Sequence, residues 1–246
     1  MSRLELMTWT EVDTYLKRSD GIMIPVGSTE QHGPIGIIGT DSLVAQLVAW
    51  RAAKICGALV APTIGYTPAP FNESFPGTIS VSSAQFSNLA AEIALCLARQ
   101  GFRSIYFVNG HGANVAGLRR VRGSVKNARI RIRSWWEFEE ISKLRKRLYG
   151  KWEGMHATPS EIAITQHVYG SKLVPLEARQ PPKLLSKAYI LAHAGDRHGP
   201  ADQHRREFPD GRVGSHSALA SPEHGKQLLS VAAAELARDY LRFLRK

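Results

Sequence analysis

Short apolar runs that alternate with stretches of helical periodicity constrain the fold of this chain more than any other feature. Residues 21–26, 58–62 and 104–108 are short and almost uniformly apolar, as buried strands are. Residues 130–136 read as a half-buried strand in which the alternation Arg129-Ile130-Arg131-Ile132-Arg133 leaves arginines on the wetter face. Residues 78–81 offer a further strand. Helices are predicted between these runs: one with Thr10 as N-cap and Asp13 three residues on, one beginning at Asp41-Ser42, and one over 84–100 with Phe86, Leu89, Ile93 and Leu97 spaced by three and four. Others follow over 114–125, 160–168 and 222–244. Pro25 lacks an amide hydrogen and argues for an edge or strand-end position. No element can be placed between 170 and 214. The alternation implies an α/β fold with a mostly parallel sheet covered on both sides.

A chain of 246 residues with 43% hydrophobic content can bury roughly 70 to 75% of its unfolded surface. No Pro/Gly/Ser-rich linker and no repeat divides it, so a single domain over residues 1–246 is expected. The opening Met1-Ser2-Arg3-Leu4-Glu5-Leu6 lacks the apolar core of a secretory signal, and no stretch approaches the ~20 apolar residues of a membrane span. A cytoplasmic protein with no membrane partner is the expectation. The two cysteines, Cys56 and Cys96, fall inside helical patterns and are expected as core fillers, which leaves any metal to nitrogen and oxygen ligands. The formal charge of +11 is concentrated between Arg119 and Lys151, but no nucleic-acid-binding motif accompanies it. The stretch is read first as a solvated or subunit-facing surface and second as a source of steering for an anionic substrate. Nucleic acid is not expected as a partner.

Glu30 and His32 stand in the run Val26-Gly27-Ser28-Thr29-Glu30-Gln31-His32-Gly33-Pro34, and His111 in Asn109-Gly110-His111-Gly112-Ala113-Asn114. Each run follows an expected buried strand, and side chains just past strand ends in an α/β sheet converge on one rim. In an extended chain the Cα atoms of Glu30 and His32 lie roughly 6.5 Å apart on one side. Each is therefore suited to hold one of two ions about 3.5 to 4 Å apart. Asp41 has two oxygens with which to bridge such a pair, His111 completes one ion's set, and Glu161 is the best donor for the other. Nitrogen and oxygen ligands without thiolate suit zinc, manganese or ferrous iron. Water held between paired ions has its pKa lowered from about 15.7 to around 7, which gives hydroxide at neutral pH. Against this stand plainer readings: Asp41 as an N-cap, and Gly110 and Gly112 as suppliers of unusual backbone angles.

In these motifs the chain resembles the creatininase family of metal-dependent amidohydrolases. The matching segments are 27–34 with Gly39-Thr40-Asp41, then Phe75-Pro76-Gly77-Thr78, then 109–114, then His156-Ala157 with Glu161, and residues 220–225 entering the last helix. The resemblance implies a single three-layer α/β/α domain, two divalent metal ions per subunit and a homo-oligomer, often a hexamer. It implies hydrolysis of a non-peptide carbon-nitrogen bond, of the cyclic amide or formamide type, in a small-molecule substrate. One branch of the family trims a modified precursor peptide, of the mycofactocin type. A non-catalytic metal-binding homologue is the remaining alternative. Glu30, His32, Asp41 and His111 fall on metal-ligand positions. Creatininase carries a further ligand, a glutamate, where this chain has Ala113, and Glu161 is the substitute. Gly112 stands at the position of a creatininase tyrosine and Thr158 at that of a family glycine, so creatinine is not the expected substrate.

His156 is expected to carry a proton to the leaving nitrogen, a role suited to a near-neutral pKa, with Glu161 as its catalytic companion. Trp152, four residues before His156, matches a substrate-stacking tryptophan. Glu73 and Ser74, in the long loop 63–77, are candidate substrate contacts. His193, His198, His204, His216 and His224 are expected on the surface or between subunits.

Overall fold

A computed structural model describes residues 3–195 and 197–245. Met1 and Ser2, read above as part of the opening segment, lie outside the described residues. The strands are β1 (Gly21–Val26), β2 (Leu59–Val60), β3 (Ser104–Asn109) and β4 (Arg129–Ser134). The helices are α1 (Trp9–Leu16), α2 (Thr40–Cys56), α3 (Ser83–Arg99), α4 (Asn114–Ser124), α5 (Glu139–Tyr149), α6 (Pro159–Tyr169), α7 (Leu176–Arg179), α8 (Lys187–Ala192), α9 (Ala201–Glu207) and α10 (Pro222–Leu244).

Among the described residues the sheet has four strands in the order β2-β1-β3-β4, and every pairing is parallel. Side chains alternate across it as the two-residue period of a strand requires. Met23, Val60, Tyr106 and Val108 face one core with α2, α5, α6 and α10, whereas Ile22, Ile24, Leu59, Ile105 and Phe107 face the other with α3 and α4. These are the three layers of an α/β/α fold. The chain leaves β1 toward β2 and leaves β3 toward β4, so the strand order reverses between β1 and β3, where such sheets open a crevice at their carboxyl ends.

Several expectations are corrected. The first helix is capped by Thr8 in a reciprocal box with Glu11, two residues before Thr10. Of the two positions expected for Pro25, the strand end is the one observed: β1 pairs on both sides, but Pro25 is its penultimate residue, beyond the two-residue β2, and its carbonyl accepts from Ile64 N–H. The run 58–62 yields only β2, and residues 78–81 make only isolated bridges, Thr29 with Ile79 and Thr67 with Ser80. Cys96 is exposed rather than a core filler, whereas Cys56 is half-buried and packs against the edge of the core. The segment 170–214 holds the short helices α7, α8 and α9.

Part of the basic stretch is ion-paired. Arg131 and Arg133 reach the buried Asp239 of α10, at 3.2 and 3.5 Å, and Asp239 also accepts 2.8 Å from the buried Tyr106 hydroxyl. Lys143 pairs with Glu139 and Glu140 on the surface of α5. No helix among the described residues is long and apolar enough to cross a membrane.

Candidate metal centre

The glycines after β1 and β3 bring the start of α2 against the strand ends. A Cβ on Gly27 would lie 2.2 Å from the Ser42 backbone nitrogen, and one on Gly110 would lie 2.2 Å from the Asp41 carbonyl oxygen. Only residues without side chains permit that approach, and it seats Asp41 between the loop carrying Glu30 and the turn carrying His111. Gly39, not Asp41, is the N-cap of α2, so the Asp41 carboxylate is left for the crevice. Neither Gly27 nor Gly110 has a positive φ; close approach is what they supply.

Glu30, His32, Asp41, His111, His156 and Glu161 are brought together and all are buried. His32 Nε2 lies 2.9 Å from Asp41 Oδ1 and 3.8 Å from Glu161 Oε1. His111 Nδ1 lies 2.9 Å from Glu30 Oε1 and 2.9 Å from Asp41 Oδ2. The remaining nitrogen of each ring faces a backbone carbonyl, which can only accept: His32 Nδ1 is 3.0 Å from Glu30 O, and His111 Nε2 is 2.8 Å from Pro68 O. Those outer contacts place the N–H on the carbonyl side and turn the lone pair of each neutral ring toward the carboxylates, the arrangement of a histidine prepared for a cation.

The electrostatics agree. Burial alone would lower the His32 pKa, but Asp41, Glu161 and Glu30 outweigh it and raise it to about 10. His111 is raised well above its usual value in the same way, against burial, by Glu30 and Asp41. Burial would raise Asp41 and Glu30, yet the imidazoles beside them hold both carboxyls below their ordinary range. Glu161 is pushed up to about 8, chiefly by burial. Positive charge is thus demanded at the points where His32 and His111 meet carboxylates. Three groups lie within mutual ligand range, Glu30/Asp41/His111, His32/Asp41/Glu161 and Glu30/His32/His156, and Asp41 belongs to the first two. The donor set fits divalent cations.

Glu161 has two roles. As the third residue of α6 it accepts from Thr158 N–H while Thr158 Oγ1 accepts from Glu161 N–H, a capping box that fixes the carboxylate beside His32. Ala113, in the turn before α4, offers no ligand atom. His156 Nε2 lies 2.8 Å from Gln31 O, and burial pushes its pKa down to about 3, so its imidazole is neutral rather than the near-neutral titrating group expected. Ala157 after it adopts φ of 55°, a left-handed conformation that turns the chain from His156 into the cap of α6.

Sequence reasoning missed Asn72, whose Nδ2 donates 2.6 Å to Glu30 Oε2 and lies 3.2 Å from His156 Nε2. Its only signal was its place in the long loop. It also missed Ser28, 2.8 Å from both Glu30 Oε1 and Asp41 Oδ2. Glu73 is exposed and Ser74 offers its carbonyl to Arg205; neither lines the cavity above the centre. Trp152 packs edge-on against His216 outside that cavity, whereas Trp135 and Trp136 line it. His204 is buried and His198 half-buried: they pack on Phe71, at 5.0 and 4.6 Å between ring centres, and Phe71 packs edge-on against His156. His193 stacks on Tyr189 at 3.8 Å, and His224 lies 3.2 Å from the Tyr149 hydroxyl.

The family model described as "Creatininase: Creatinine amidohydrolase" matches residues 5–240. The chain belongs to the creatininase family. It is 29% identical to creatinine amidohydrolase of Pseudomonas putida over 252 aligned residues, covering 94% of this chain and 93% of that protein. It is 40% identical to the mycofactocin precursor peptide peptidase of Mycolicibacterium smegmatis, but over 103 residues, 39% of this chain and 41% of that protein. Among solved structures, creatinine amidohydrolase superposes with a TM-score of 0.81 at 25% identity, covering 100% of this chain and 98% of that one. A structure described as "Creatininase Mn" superposes at 0.78 and 25% identity, covering 100% and 99%. The whole-length match confirms the expected family and its α/β/α architecture.

Proposed function

We propose that this creatininase-family chain is an amidohydrolase that holds two divalent ions and cleaves a non-peptide carbon-nitrogen bond of a small molecule. The observation that carries the reading is the pair of buried imidazoles, His32 and His111, each pinned to a backbone carbonyl by one nitrogen and turned toward carboxylates by the other. Glu30, Asp41 and His111 would hold one ion, and His32, Asp41 and Glu161 the other, with Asp41 shared. Zinc, manganese and iron all suit these donors, and the manganese form of a related creatininase supports one of them. When bound, such ions lower the pKa of water and polarise a carbonyl. Ser28 and Asn72 orient Asp41 and Glu30, and His156, held beside the Gln31 carbonyl and Asn72, is the group that would pass a proton to the leaving nitrogen. The cavity at the centre measures about 210 Å³ and is lined by Asp41, His111, His156 and Glu161, a size for a small substrate. Family membership supports a homo-oligomer of single-domain subunits over residues 1–246, and the lack of a membrane-crossing helix among the described residues accords with a cytoplasmic location.

The second reading, a peptidase acting on a modified precursor peptide, is favoured by the 40% identity in the aligned 103 residues. Elemental analysis of the purified protein, with turnover of a panel of cyclic amides, formamides and a modified C-terminal peptide, tests both. Two ions per subunit are expected, lost together with activity in Asp41→Ala; Glu161→Gln should weaken one ion selectively. Full metal content and turnover in Asp41→Ala would refute the shared-ligand reading, and turnover of the peptide alone would select the second.

A further inference from the structure

Two hydrogen-bond donors that hold no metal, Arg145 and Trp135, line the cavity with the ligand cluster. Arg145, on α5, is pinned by Glu153: Nε and Nη2 both lie 2.9 Å from Glu153 Oε1, and Nε lies 3.2 Å from Ser160 Oγ. Ser160 in turn donates to the same Glu153 oxygen and lies 3.2 Å from Thr158 Oγ1, which ties Arg145 to the cap that holds Glu161. A guanidinium has five N–H donors in a rigid fork. The Glu153 contact occupies its side, and the end formed by Nη1 and the second Nη2 hydrogen has no acceptor among the described residues. Beneath it, 5.5 Å from the guanidinium carbon, lies the ring of Trp135. Trp135 is 1% exposed and its indole N–H is buried without an acceptor. A buried donor with no partner costs free energy unless a ligand or water completes it, and Trp135 and Arg145 line the same cavity as Asp41, His111, His156 and Glu161.

We propose that Arg145 and Trp135 are the specificity-determining end of this cavity and dock a carboxylate of the substrate, which is therefore an amide bearing a free carboxylate, of the N-acyl amino acid class. The inference rests on the hydrolase reading above. Two parallel N–H donors at the free end of a guanidinium match the two oxygens of a carboxylate, and a single carbonyl oxygen would leave one of them empty. Glu153 holds the guanidinium in place without covering that end. Docking the carboxylate there leaves the amide at the ligand cluster, where His156 stands.

Calorimetric binding to the manganese-loaded full chain tests this, with N-acetylglycine and N-acetylglycinamide as probes. The carboxylate probe is expected to bind about 10- to 100-fold more tightly, the range of a charged hydrogen-bonded pair. Arg145→Gln should abolish the preference, and Arg145→Lys, which keeps the charge but not the fork, should retain only part of it, with metal content unchanged in both. Equal binding of the two probes to the wild type would overturn the proposal. So would a preference that survives in Arg145→Gln, because it would put the carboxylate on the ions. If Arg145→Gln does not fold, full preference in Arg145→Lys overturns it instead. Failure of the hydrolase reading has a different signature: no amide is turned over, while the binding preference and its loss in the variants persist.

Discussion

Replacing Gly110 with alanine tests whether close packing of a helix start on a strand end builds the metal centre. The added Cβ would lie 2.2 Å from the Asp41 carbonyl oxygen and 3.0 Å from its carbon, whereas ordinary contact begins near 3.4 Å. The obstacle is backbone, which cannot swing aside, so β3 and the start of α2 must part by roughly 1 Å, the scale of misplacement that costs about 100-fold at a site. Overpacking of this kind destabilises by about 1 to 3 kcal/mol, a fall in Tm of roughly 2 to 12 °C for a chain of this size. Asp41 serves both ligand groups, and ligand distances tolerate only about 0.2 Å. Affinity for both ions should therefore fall together by about 10- to 100-fold, measured by competition with a chromophoric chelator, alongside Tm of the metal-free protein. Gly123→Ala is the control: nothing lies within 4 Å of its added Cβ and its φ is not positive, so it should stabilise by about 0.4 to 1 kcal/mol with unchanged metal affinity. Wild-type metal affinity and Tm in Gly110→Ala would refute the packing argument.

Protons should compete with the ions. His32 is raised from 6.5 to about 10, so in the metal-free protein its stabilising contribution is complete below about pH 6.5 and is lost as pH rises through about 10. Burial raises Glu161 from 4.5 to about 8, and its ionisation weakens the metal-free fold in the same direction between those values. Metal binding must displace these protons, so manganese affinity should climb with pH across this window, with release of at least about one proton per subunit in calorimetry at pH 7 in buffers of different ionisation enthalpy. Proton release of zero, or a metal-free Tm that rises from pH 6 to pH 10, would contradict this. Tyr106→Phe removes the hydroxyl 2.8 Å from buried Asp239 and should cost about 1 to 2 kcal/mol in denaturant unfolding. Metal content should stay at the wild-type level, and unchanged stability would show that Arg131 and Arg133 satisfy Asp239 alone.

The fold was legible where local periodicity is strong. Residues 21–26 became β1 and 222–244 became α10 as expected, and the ligand runs fall past β1 and β3. The weak places have physical causes. Residues 78–81 have strand composition but no continuous neighbour, so they make bridges rather than a ladder. Thr10 is a good cap by type, but Thr8 precedes the glutamate that can reach back to it. At the site, Glu30, His32, Asp41 and His111 could be singled out from their motifs. Asn72 could not, because an asparagine in a long loop carries no mark of the carboxylate it will meet 42 positions away. Arg145 was one charge in a basic stretch, indistinguishable from its solvated neighbours until α5 placed it over Trp135.

The sequence by itself determined the alternation of strands and helices, the glycine-framed turns and the donor types, since each follows from residues near one another in the chain. Only the tertiary structure decided that β1 lies beside β3, that α2 starts in the crevice between them, and that an acidic cluster shares one cavity with Arg145 and Trp135. Those facts depend on contacts between distant segments. Strand order and helix approach are settled by how two apolar faces of a sheet are covered, and no local pattern contains that choice.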